Sequence, residues 1–435
     1  MRDQSQLRDG RRFARRSLVK GAAAMAAAPF VFSRTAPIVR ARQDAPSGDV
    51  RMWVYPLAGD DQAANEQAWE GIVSGFNAQF PDVEVTVEVQ PWQNRNEQLT
   101  TALAAGAGPD VAYLNEDFIP QHAEDGNIEP LDDVIAEDRD DFLENAVAGV
   151  SYQDTLFAAP ILMTATTMVY NTKLFTDAGV ETFPTTWQEL LDVAPTFKEQ
   201  GIDLTYYSGS LESSLNLNYY PLLWQAGGQV LNEDGTAAAF NSPEGIEALN
   251  FVVSLFENGY TDESSGVTSP EPGRSPLDLG EAAVGLTVDQ AWALRLAELW
   301  GEGVLQVGQP PMNKVQTSYG TAAGFALFAD AGDKDASKAW IKHLVSPETM
   351  PTILGLGGYF APRASLGSLY ADVPVVGEYE QMLPLVRGGV RHRSARQIIS
   401  TVAPEIQAAF LGDKSAEDAL AAAEEDVNAL LERNR

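Results

Sequence analysis

The chain has no cysteine among its 435 residues. Disulfides, thiolate metal centres and cysteine nucleophiles are therefore excluded, as is the lipidated cysteine that tethers many bacterial binding proteins. Histidine is nearly as scarce: His122, His343 and His392 stand far apart, which leaves a Ser-His-Asp triad or a histidine zinc site without support. No GxSxG elbow, GxxxxGK[ST] phosphate loop or HExxH helix occurs. The acid pairs Asp132-Asp133 and Asp140-Asp141, like Asp60-Asp61, are adjacent residues in polar stretches and read as solvated faces or helix starts. DAGDKD at 330–335 lacks the spaced ligands and closing glutamate of an EF-hand. No cofactor or metal is expected. Positive charge is sparse as well, 29 Lys and Arg against 61 Asp and Glu, for a formal net charge of −32. Such a surface repels phosphate backbones and argues against nucleic acid as a partner. Its plainest meaning is solubility outside the cell. Long hydrophobic runs are lacking too: GAAAMAAAPFVF, residues 21–32, is too short and Ala-rich to span the roughly 30 Å of a bilayer core.

The basic residues that are present concentrate first at the N-terminus. Arg2, Arg8, Arg11, Arg12, Arg15, Arg16 and Lys20 face only Asp3 and Asp9 and lead into the Ala-rich run. Residues 1–41 therefore read as a cleaved signal peptide with a small-residue site at Val39-Arg40-Ala41, Thr35-Ala36 being the alternative. Within it ARRSLVK, residues 14–20, resembles the twin-arginine export signal, with Leu18 where that signal often has Phe. RQDAPSG, residues 42–48, reads as a flexible lead-in. The remainder is too long for one ordinary core and is expected to form two lobes.

The first ordered unit is βαβ. An apolar strand at 51–57 precedes a helix from about Gln62 to Phe80, with Ile72, Val73, Phe76 and Phe80 at helical spacing, and an alternating strand follows at 83–90. A second helix is expected over Asn94 to Ala105, and GAGPDVAYLN turns the chain into a third strand. This alternation predicts mainly parallel sheets covered by helices, with ligands bound beyond the carboxyl ends of strands. In PTTWQELLDVAPTFKEQG, Thr185 or Thr186 can cap a helix whose apolar face is Leu190, Leu191, Ala194 and Phe197. Trp53, Trp69, Trp187 and Trp340 fall within strand or helix patterns and read as core, and His343 as a surface or packing residue rather than a ligand.

Five blocks carry a resemblance. LTTALAAGAGPDVAYLNEDFIPQHAEDGNIEPLDDVI (99–135), LFAAPILMTATTMVYNTKLFTDAGVETFPTTWQEL (156–190), EAAVGLTVDQAWAL (281–294), GFALFADAGDKDASKAWIKHLVSPETM (324–350) and LGDKSAEDALAAAEEDVNALL (411–431) follow, in order, the pattern of family 1 extracellular solute-binding proteins, the group containing maltose-binding protein. The resemblance implies an α/β, two-lobed periplasmic-binding-protein-like fold of class II, with a ligand cleft at the hinge. Residues 49–160 and 313–362 would form the N-lobe, and 161–312 and 363–435 the C-lobe. The chain would cross between them at Ala159–Met163, at Gly308–Met312 and near Pro362. It further implies a monomeric, non-enzymatic, periplasmic or extracellular binder that delivers a carbohydrate to the permease of an ABC importer. The alternatives are a secreted two-carboxylate hydrolase and a binder of a polyol or glycerol-phosphate-type solute.

A sugar presents an apolar C–H face that packs on an aromatic ring, and hydroxyls that need planar polar partners. Candidates near expected strand ends are Tyr55, Asn115, Glu116, Asp117, Tyr219, Tyr220, Trp224, Asp289, Trp292 and Tyr359. In the resembled family the Trp at the position of Trp292 stacks on sugar, and cleft-facing polar groups follow the strand where Glu116 and Asp117 stand. Between Tyr220 and Trp224 one contact is expected rather than two, the alternative for one or two of Tyr219, Tyr220 and Trp224 being packing within the second lobe. Arg387, Arg391, Arg393 and Arg396 reverse the local charge of an acidic chain. Arg391 is the candidate ligand contact among them, and pairing with nearby acids is the plainer reading of the cluster.

Overall fold

The computed structural model describes residues 45–434 apart from 59–61, 93, 212 and 271–272. The expected signal peptide with Arg15 and Arg16, the start of the lead-in and the Asp60-Asp61 pair lie outside the described residues.

The chain begins with β1 (Gly48–Val54), which pairs in parallel with β2 (Val83–Val89) after the helix Gln62–Asn77, and in parallel with β3 (Val111–Asn115). The first helix stops before the expected Phe80, but Phe80 still closes a turn onto the Phe76 carbonyl and stacks on that ring at 4.8 Å. A small hairpin, β4 (Ser151–Tyr152) with β5 (Thr155–Leu156), leads to the fully buried β6 (Ala159–Met163). Immediately afterwards β7 (Thr166–Asn171) belongs to a second sheet, which β8 (Asp203–Thr205), β9 (Ala282–Asp289) and β10 (Leu305–Val307) complete in the order β10-β7-β9-β8. The chain passes through β11 (Ser318–Tyr319) and returns as β12 (Ala322–Leu327), which slots between β3 and β6 to give the order β2-β1-β3-β12-β6. Last comes β13 (Val386–Arg387), parallel to β11.

The fold class is the expected one, two helix-flanked α/β lobes, but the sheets are mixed rather than mainly parallel. β12 runs against both its neighbours, and β7 runs against β9 and β10. The βαβ pattern describes strands joined by one helix; it is blind to strands that re-enter a sheet after an excursion through the other lobe.

Each sheet has its own core. Met52, Val111, Phe325 and Trp340 sit in one, while Phe197, Leu223, Val252, Ile398 and Leu420 sit in the other, the last two from the helices Ala395–Phe410 and Ala416–Arg433. A third cluster with Met163, Val169, Val288, Phe360 and Tyr379 joins them where the chain crosses. Trp53, Trp69, Trp187 and Trp340 are all buried. His343 stacks on Trp340 with ring centroids 5.8 Å apart. The helix Trp187–Glu199 starts in a capping box in which Thr186 and Glu189 each accept from the other's backbone end, and Leu190, Ala194 and Phe197 are buried beneath it.

The segment Gly308–Met312 does not cross between lobes. Gly308 donates to the Met168 carbonyl, Met312 bonds to Thr185, and the Lys314 and Val315 amides reach the Gln225 carbonyl, all on the second lobe. The return lies at residues 318–322. Beyond Pro362 the chain stays on the first lobe for several residues, since Arg363 pairs with Asp138 and Asp141 and Ser365 bonds to Asp141.

Candidate functional site

β9 is apolar and buried along most of its length, and Gly285 is required there because a Cβ would lie 2.4 Å from Val288 and 2.8 Å from Leu277. Where the strand ends, the Asp289 carboxylate accepts the Trp292 amide at 2.8 Å and caps the helix Gln290–Trp300. The cap places Trp292 on the first turn, beside the open end of the sheet. Its indole Nε1 donates to Asp278 at 2.8 Å, and the Arg295 guanidinium reaches the same oxygen at 3.1–3.2 Å. The other Asp278 oxygen accepts from the Ser275 amide and hydroxyl. Burial, with the side chain only 3% exposed, works to raise the Asp278 pKa. The bonds from Ser275 and Trp292 and the charge of Arg295 prevail and hold it below the ordinary aspartate value. Tyr206, just past β8, meets Trp292 edge-on at 6.2 Å.

These residues line a cavity of about 510 Å³ together with Ser208, Ser213, Asn218 and Thr287, and with Leu217, Leu286 and Pro270 as apolar wall. The volume suits a small organic ligand. Two aromatic surfaces, several hydroxyls and amides, and a buried carboxylate that fixes an indole make a site for a solute with an apolar face and hydrogen-bonding edges.

On the first lobe Tyr55, at the end of β1, stacks on Trp92 at 4.7 Å and meets Tyr113 edge-on. Arg95 lies over Trp92, Tyr55 and Phe118, with its charge centre 4.9–5.7 Å from the ring centroids. Burial raises the Tyr55 pKa. Tyr359 packs against this lobe, and burial followed by the charge of Asp289 pushes its hydroxyl up to about 12, so it lies within electrostatic reach of the second lobe.

Between the lobes a second cavity, of about 290 Å³, is bounded by Glu116, Met163, Gly320, Gly389 and Arg391 among others. Glu116 is 3% exposed and accepts the Gly389 amide at 2.6 Å; desolvation pushes its carboxyl up to about 8. Arg391 donates to the Ala148 carbonyl at 2.6 Å. Asp117 takes Arg396 at 2.8 Å, and Arg393 pairs with Glu124 and Asp125. These two arginines follow the plainer reading, pairing with acids, and the acids belong to the opposite lobe. The Asn115 and Asn216 side-chain oxygens are buried without a partner among the described residues.

Trp292, Asp289, Glu116 and Arg391 thus line cavities, while Tyr55, Asn115, Asp117 and Tyr359 stand on the first-lobe side of the cleft. Tyr219, Tyr220 and Trp224 line neither cavity. Every residue of the helix Tyr219–Gln225 is buried, Tyr219 and Tyr220 are 0% exposed, and Arg387 covers the Trp224 ring at 4.6 Å. The expected contact from Tyr220 or Trp224 is replaced by packing. Sequence reasoning missed Tyr206, Asp278, Arg295, Trp92 and Arg95. Tyr206 follows a strand end and Arg295 lies one turn from Trp292, so both carried a signal; Asp278 sits in an irregular turn and carried none.

A binding protein of Brucella abortus is 29% identical over 53% of this chain and 55% of its own length, and the maltotriose-binding protein of Pyrococcus abyssi is 28% identical over 49% and 43%. The chain spans about half the length of the curated relatives it matches. Among solved structures, an ABC transporter solute-binding protein of Thermotoga lettingae bound with α-D-tagatose superposes with a TM-score of 0.74 at 23% identity, covering 88% of this chain and 100% of that one. The family model of bacterial extracellular solute-binding proteins matches residues 59–351, and the chain belongs to that family.

Proposed function

We propose that the protein captures a small carbohydrate between its two lobes and hands it to the permease of an ABC importer, acting outside the cytoplasm as a monomer and without catalysing a reaction. The observation that carries this reading is the cavity at the end of β9, where Trp292 and Tyr206 supply ring surface and Ser208, Asn218 and Thr287 supply hydrogen-bonding groups. Ligand contacts from both lobes favour the closed form, because only differential affinity shifts such an equilibrium. The sugar-binding relatives support the class of solute. Export rests on the Arg15-Arg16 pair and the Ala-rich run behind it.

Thermal unfolding of the purified protein against a panel of mono- and oligosaccharides, polyols and amino acids tests the reading. A carbohydrate is expected to raise the melting temperature and to be recovered unchanged. Stabilisation by amino acids alone would overturn the carbohydrate class, and steady conversion of the sugar to a product would favour a hydrolase.

A further inference from the structure

We infer that the cavity between the lobes is an anion subsite, in which Arg387 and Arg391 receive the carboxylate or phosphate of an acidic saccharide or polyol. The inference rests on the proposed function and specifies the solute. The four arginines between Arg387 and Arg396 do not share one fate. Arg393 and Arg396 are neutralised by Glu124, Asp125 and Asp117. Arg387 and Arg391 make no ion pair among the described residues. Arg387 donates to the neutral Gln229 amide and Arg391 to the Ala148 carbonyl, in a chain with twice as many acidic as basic side chains. Both line the same cavity. Each guanidinium keeps donors free, and a planar fork matches an oxyanion with two oxygens.

The surroundings agree. Desolvation, and then the charge of Arg391, hold the Arg387 pKa below its ordinary value, so the two cations sense one another. Glu116, the one carboxyl in the lining, is pushed up to about 8 by burial, which disfavours its charged form. Its neighbours are Asp117, Arg391, the Tyr319 hydroxyl and the amides of Gly389 and Ala322. Gly388 keeps the backbone close: a Cβ there would fall 2.5 Å from the Glu116 carboxyl.

The test compares each anion with its neutral twin: glucuronate with glucose, and glycerol 3-phosphate with glycerol. Affinities are measured by calorimetric titration of the purified full chain. At least one anion is expected to bind tenfold or more tightly than its twin, with the preference falling below twofold in Arg387→Gln/Arg391→Gln, and the responding pair tells carboxylate from phosphate. Glucuronate stays ionised throughout, so its affinity, if it is the anion that binds, should decline as pH rises through about 8 and Glu116 takes up charge. If the double variant does not fold, Arg391→Gln alone carries the comparison. Equal affinities within both pairs, or a preference that survives the substitutions, would overturn the subsite. Binding of glucose without glucuronate or glycerol 3-phosphate would overturn it and leave the proposed carbohydrate receptor standing.

Discussion

The indole of Trp292 is held at two points, its amide by Asp289 and its ring nitrogen by Asp278. A ring held this way loses little freedom when a ligand stacks on it, which is the condition for a hot spot. Trp292→Ala is expected to weaken solute binding by about 2 kcal/mol or more, roughly thirtyfold, while denaturant unfolding shows a smaller change; wild-type affinity in a folded variant would remove the stacking role. Asp278→Asn separates orientation from contact. It takes the charge from a buried group that accepts four different donors and is expected to cost about 1–3 kcal/mol of stability. The Asp278 pKa is depressed in the fold, so its contribution is present above the unfolded aspartate value and is lost as pH falls through the lower folded value. The wild type should therefore lose part of its advantage over Asp278→Asn on acidification, measured by urea midpoints across pH. Trp292 and Asp289 were legible because an apolar strand running into a capped helix marks its own end. Asp278 was not, because its bonds to Trp292 and Arg295 span irregular chain. Tyr220 and Trp224 were misread because LNYYPLLW announces burial without saying what covers it.

Helices were the most legible elements. The Thr186 and Glu189 box is visible as TTWQE, and the apolar residues behind it fall at helical spacing, so local chemistry and packing agree. Thr186→Ala is expected to lower stability by about 1 kcal/mol, read as a reduced denaturant midpoint with unchanged slope. The helix Tyr219–Gln225 is buried on every side, so no apolar stripe marks which face meets the core. Gly308–Met312 shows a different limit. Its Gly and Pro residues correctly mark irregular backbone, but irregular backbone can run along a lobe as readily as between lobes, and its hydrogen bonds to Met168 and Thr185 decide the matter. Sheet direction was illegible for a similar reason, since periodicity reports which face of a strand is covered and not which strand lies beside it.

The two lobes meet through Arg393 with Glu124 and Asp125 and through Arg396 with Asp117. These pairs are partly exposed, so each is worth about 0.2–1 kcal/mol and is weakened by salt. They act on the balance between open and closed forms and leave each core alone. Arg393→Gln/Arg396→Gln is expected to reduce solute affinity about threefold to tenfold with little change in melting temperature, and scattering should show a larger unliganded radius; unchanged affinity and radius would mean that these contacts do not hold the lobes together. The two-lobed plan was legible from the ordered series of blocks, whereas the pairing of this arginine segment with acids far upstream was not. The position of β12 has a further consequence for how the molecule comes to exist. It lies inside the first sheet between β3 and β6, with Phe325 opposite both Tyr113 and Ala159, yet it is synthesised only after most of the second lobe. Until then β3 and β6 flank an empty slot, and their unpaired backbone edges invite association with other chains. Contacts so distant in sequence slow folding, and a nascent chain cannot finish its first lobe before nearly all of the protein is made. Neither lobe is a contiguous module, so neither is specified by one unbroken stretch of the chain.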